Sequence, residues 1–128
     1  VMQVSQDAPE GVYRILGYDD AGISINAERH EQSLLLMPDH LNAQWGPASV
    51  EALAQAHLTP IHTLEPEVVL LGTGRQQRFP ERSLMLSLIQ AGIGLEVMDT
   101  ASACRTYNLL MAEGRRVLAA LIIEPSGG

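Results

Sequence analysis

The sequence predicts an α/β domain on a mixed central sheet, with an N-terminal β-hairpin and two main helices. Three observations lead there. The second half alternates strand, helix, strand, helix, strand. The first half opens on two short alternating runs around a turn. And 128 residues at 46% hydrophobic content are enough for one core but too few for two ordinary domains. The whole chain is therefore read as a single domain, with an ordered core over about 12–123 and short tails.

Val12–Tyr18 and Ile23–Asn26 flank Asp19-Asp20-Ala21-Gly22. Tyr13 and Ile15, then Ile23 and Ile25, alternate with polar or small residues, the pattern of a hairpin with a glycine in its turn. Asp19 and Asp20 are read as solvated turn carboxylates. Ser33–Met37 is a continuous apolar run stopped by Pro38, which reads as a buried strand. Residues 41–64 are ambiguous. Gly46-Pro47 breaks any helix there, and a short helix over Ser49–Gln55 or Thr59–Leu64 fits, the latter with Thr59-Pro60 as cap and first turn. Trp45, the one tryptophan, reads as a half-buried loop residue.

The second half reads more sharply. Glu67–Leu71 is a buried strand ended by Gly72-Thr73-Gly74. Pro80–Ala91 is a helix, with proline and Glu81 suited to its first turn, Leu84, Leu88 and Ala91 on one stripe, and Gly92 as stop. Leu95–Met98 is the next strand. Asp99-Thr100 caps a second helix reaching about Glu113, and Val117–Ile123 is the last strand. Strands separated by a helix pair in parallel, so those at 67–71 and 95–98 should be neighbours.

Composition excludes several functions. Fifteen acids against eight basic residues give −7, which argues against a nucleic-acid partner. All eight basic residues are arginine, which removes both a lysine Schiff base and the lysine of a phosphate loop. No apolar run approaches the roughly 20 residues of a membrane helix. Val1–Pro9 lacks the pattern of a signal peptide, and the single cysteine fits a reducing compartment, so cytoplasmic residence is expected. No cysteine pair and no His-Glu-x-x-His occurs, so neither a metal nor another cofactor is expected.

Topology says where a site should lie. Ligands bind outside the carboxyl ends of parallel strands, and here those ends are Gly72-Thr73-Gly74 and Met98-Asp99-Thr100. Each precedes a helix, whose first amides carry partial positive charge. Residues 1–64 hold two arginines against eight acids and residues 65–128 six against seven, so an anion should bind in the second half. The candidate ligand-binding set is Gly72, Thr73, Gly74, Arg75, Asp99, Thr100, Arg105 and Asn108, with Arg105 and Arg75 as charged donors. Ala103, Tyr107, Leu110 and Met111 should pack on the sheet, leaving Arg105 and Asn108 accessible. No catalytic residue is assignable. Cys104 near a helix start beside Arg105 has the setting of an activated thiol, but no histidine is tied to it, and it is expected to be a packed, non-catalytic side chain.

The motifs together resemble one family. Ser33-Leu34-Leu35-Leu36-Met37-Pro38, Val69-Leu70-Leu71-Gly72-Thr73-Gly74, the run from Gly92 to Thr100, and Arg105-Thr106-Tyr107-Asn108 are similar to a small domain of unknown function. That domain is shared by a mitochondrial complex I assembly factor, an adipogenesis-associated cytosolic protein and many bacterial proteins. The resemblance covers roughly Tyr13 to Ile123. It implies a three-layer α/β fold and a protein that binds a protein partner, with no reaction to transfer. The expected function is accordingly a soluble binding or assembly module. The alternative is an enzyme acting on a small anionic metabolite in the crevice above Gly72–Arg75 and Asp99–Arg105.

Overall fold

The computed structural model describes residues 12–125; the stretch Val1–Pro9 and the tail beyond Pro125 lie outside it. Five strands form the central sheet in the order β5-β4-β8-β6-β7: β4 (Leu34–Met37), β5 (His40–Asn42), β6 (Val68–Gly72), β7 (Gly94–Met98) and β8 (Val117–Leu121). β6 runs parallel to both β7 and β8, while β4 is antiparallel to β8 and to β5. The expected parallel neighbours are therefore present in register, Val68 opposite Gly94 through Gly72 opposite Met98. Helix α2 (Arg82–Gln90) connects them.

Alternation along the strands sorts the core into two layers. Leu35, Met37, Val69, Leu71, Leu118 and Ala120 face α2 and a further helix, α1 (Gln55–Leu64). Leu34, Leu36, Val68, Leu70, Ala119 and Leu121 face α3 (Thr100–Ala112). A second sheet joins α3 on that side: β1 (Ile15–Asp19), β2 (Gly22–Ile25) and β3 (Glu28–His30), all antiparallel, packing Ile15, Ile23 and Ile25 inward. The arrangement is three-layered and its central sheet is mixed. As the helical spacing predicts, Ala103 and Tyr107 are buried against the sheet, with Leu110 and Met111 partly so.

The hairpin starts later than its sequence suggests, at Ile15, and has a third strand. β3 reads Glu-Arg-His, which has no apolar alternation. Backbone pairing to β2 holds it, and Arg29 bonds the Asp19 carboxylate at 3.0 Å. Asp19 also accepts the amides of Ala21 and Gly22, so it organises the turn rather than only being solvated. Its carboxyl is held below the ordinary range, chiefly by Arg29.

Residues 41–64 differ most from expectation. Ser49 caps only a 3-10 turn over Val50–Ala52. The helix proper runs Gln55–Leu64, so Pro60 lies inside it and Thr59 is no cap. The start is instead fixed by His57, whose Nδ1 accepts the Ala54 amide at 2.9 Å, half of a capping box made by an imidazole. Trp45 is 6% exposed, a core residue rather than a loop anchor, and its Nε1 donates to the His57 carbonyl at 2.9 Å.

Candidate functional site

The carboxyl ends of β6, β7 and β8 meet the hairpin turn around a cavity of about 150 Å³. Gly74 and Arg75 follow β6, Asp99, Thr100 and Ala101 begin α3, Ile122, Ile123 and Glu124 follow β8, and Tyr18, Asp19 and Asp20 come from the β1–β2 turn. Thus Gly74, Arg75, Asp99 and Thr100 of the expected set line one concavity. Gly72 and Thr73 are buried in its surroundings, while Arg105 and Asn108 are not part of its lining.

Hydrogen bonds explain what these residues do. Thr100 joins the ends of two strands to a helix start: its Oγ1 accepts the Gly74 amide at 2.8 Å and donates to the Ile122 carbonyl at 2.7 Å. The Thr100 amide donates back to the Gly74 carbonyl at 2.9 Å. The Thr73 amide donates to the Met98 carbonyl, and its hydroxyl accepts the Arg78 amide and lies 2.7 Å from the Gln76 carbonyl. Asp99 caps α3 as expected, taking the Ser102 amide at 2.7 Å and the Ser102 hydroxyl at 3.1 Å.

The glycines serve packing here. A Cβ on Gly72 would stand 2.9 Å from the Thr100 Cα. Gly74 has φ +103°, and its Cβ would stand 2.5 Å from the Glu124 carboxyl carbon. Both let loop, helix and strand exit approach closely.

The expected anion donors are also occupied. The Arg75 amide donates to Glu124 Oε1 at 2.9 Å, and its guanidinium reaches the same oxygen and the Pro125 carbonyl. Arg105 donates to the Tyr18 hydroxyl at 2.8 Å and to Ser102 Oγ at 3.1 Å, and the Tyr18 bond raises its pKa above the ordinary value. Asn108 is half-buried, and its side chain is engaged. Its carboxamide takes the Ile15 amide at 3.0 Å and gives to the Ile15 carbonyl at 2.6 Å, a side chain pairing like a strand. The lining therefore presents Asp19, Asp20, Asp99 and Glu124 against one guanidinium, Arg75, already matched to Glu124. Arg29 pairs with Asp19 from outside the lining, so Asp20 and Asp99 are the lining carboxylates without an ion pair among the described residues, and their charge works against an anion there.

Sequence reasoning missed the hairpin turn and Glu124 as parts of this concavity. The signal for Glu124 was present: a last strand parallel to β6 brings its own carboxyl end to the same edge.

Cys104 lies inside the layer between α3 and the sheet. Burial pushes its thiol up to about 12 from an ordinary 9.0, outweighing the opposing pull of Arg105. The helix-start setting that would activate a thiol thus loses to desolvation. The folded thiol stays protonated where the unfolded one ionises. Its stabilisation is complete below about pH 9 and is lost as pH rises towards about 12. Cys104→Ala should therefore lose stability less steeply than the native chain across that window in urea titrations. Parallel curves would show a solvated thiol.

Together these features define the class: a three-layer α/β domain with a small acidic crevice at the carboxyl edge of its sheet and a buried cysteine. The family model described as "Protein of unknown function (DUF498/DUF598)" matches residues 15–122, and the chain belongs to that family. The human NADH dehydrogenase [ubiquinone] 1 alpha subcomplex assembly factor 3 is 34% identical over 97% of this chain, which spans 67% of that relative's length. A Xanthomonas campestris protein solved by NMR superposes with a TM-score of 0.83 at 38% identity, covering 99% of this chain and 96% of that one. The crystal structure of an outer membrane protein from Bartonella henselae superposes with a TM-score of 0.79 at 26% identity, over 89% of this chain and 97% of that one. Among the described residues, no helix is long and apolar enough to cross a membrane.

Proposed function

We propose that this chain is a binding or assembly module that works by contact with another protein. The observation that carries this reading is an apolar stripe left in water on the outer side of α2. Leu86 and Ile89 lie three apart, one turn along the helix, and Phe79 precedes them in the loop before Pro80; they are 36%, 53% and 68% exposed. Three large apolar side chains exposed along one stretch, beside Leu16, Tyr18 and Leu109 exposed elsewhere, support an interaction face on this side. The name of the human relative, an assembly factor, supports the same reading. The cytoplasmic setting expected from sequence belongs to this proposal. Because the Bartonella relative bears an outer-membrane name, cell fractionation is its direct check.

The test is affinity capture from the source cells with the native chain and with Phe79→Ser/Ile89→Ser, whose positions are exposed enough to keep the fold. A protein retained by the native chain and lost with the variant is the expected result. Equal retention by both would overturn the role of this face.

A further inference from the structure

We propose that the outer edge of β7 is a docking strand, on which a protein partner adds an extended segment alternating apolar residues with lysine or arginine. This rests on the binding-module reading and specifies its mode and the partner's chemistry. The five-stranded sheet ends at β5, three residues long, and at β7, five residues long and paired only with β6. In that parallel ladder Gly94 donates inward to the Glu67 carbonyl at 3.2 Å, and the Met98 carbonyl accepts the Thr73 amide at 2.9 Å. The period of two then turns the amides and carbonyls of Leu95 and Val97 outward.

The fold treats its edges unequally. On β1, Asn108 satisfies both the amide and the carbonyl of Ile15 from a fixed place on α3. On β7, the side-chain amide of Gln77, an exposed loop residue, donates to the Val97 carbonyl at 2.9 Å, where an added strand would bond. A short edge carrying a charge and one side-chain cap is guarded against indiscriminate pairing but open to a partner that displaces the cap.

The two faces of β7 define that partner. Leu95 and Val97 lie on the side of α1 and α2, the layer whose outer stripe carries Leu86 and Ile89. Residues of an added strand on that side meet apolar surface. Glu96 points to the other side, is exposed, and has no ion pair among the described residues. Residues of the added strand beside it are complementary when basic. A second copy of this chain fits poorly: antiparallel pairing of Leu95 with Val97 would set Glu96 against Glu96 between two chains of charge −7 each.

The experiment uses the 15N-labelled chain and two short probe peptides, one alternating valine with lysine and one alternating valine with glutamate. With the lysine peptide, amide shifts should concentrate on Gln77 and Leu95–Val97, and exchange of the Leu95 and Val97 amides should slow. The lysine peptide should bind at least about tenfold tighter than the glutamate peptide, and Glu96→Lys should reverse that preference. Shifts gathered at Asp20 and Asp99, equal binding of both peptides, or no binding would each overturn the docking strand. If the strand fails while the α2 substitutions still abolish capture, the module reading stands and only this mode of contact falls.

Discussion

Thr100→Val is expected to destabilise the fold by about 2–4 kcal/mol although it preserves side-chain shape, because two part-buried backbone groups lose their partner at once. The Gly74 amide and the Ile122 carbonyl both bond to Thr100 Oγ1, and valine offers neither donor nor acceptor. The loss should appear as a lower urea midpoint with unchanged slope, and as faster amide exchange at Gly74. Thr100→Ser, which keeps the hydroxyl, should recover most of it. A loss under about 1 kcal/mol for valine would mean that water enters the crevice and replaces the hydroxyl.

Asn108→Ala should cost about 2–3 kcal/mol, since it strips both partners from Ile15 and frees the edge of β1 from α3. Asn108→Asp separates the two bonds. Ionised aspartate still accepts the Ile15 amide but sets an oxygen against the Ile15 carbonyl. Its stability should therefore improve as pH falls and the carboxyl gains a proton to donate. Thermal melts at neutral and acid pH check this. A variant equally stable at both would show that only the accepting half of the contact matters.

These two residues also show what could be read from sequence. Asp99-Thr100 is a recognisable helix start, and the parallel strands place it beside Gly72-Thr73-Gly74, so the location of the crevice was legible. Its chemistry was not. Whether an arginine is free depends on partners far along the chain, and Arg75 meets Glu124, forty-nine positions on, while Arg105 meets Tyr18. Asn108 looked solvated because helical periodicity knows nothing of a hairpin laid across the helix. The helix over Gln55–Leu64 was partly hidden for a local reason. Its start is fixed by an imidazole three residues inside, not by a capping residue at Ala54, and Pro60 imitates a first turn. β3 and β5 are short and mostly polar, and only their pairing makes them strands.

The placement of Trp45 determines what optical measurements on this protein will see. The indole sits edge-on to the His57 ring, centroids 6.2 Å apart at 75°, at the start of α1 and on the opposite side of the sheet from α3. As the sole tryptophan it is a reporter of one layer. Its emission follows the docking of α1 and stays silent to events in the β1–β2 turn or at Asn108. A fluorescence melt and a far-ultraviolet dichroism melt of Asn108→Ala should then separate if the hairpin loosens first, and their coincidence would mark the two layers as one cooperative unit.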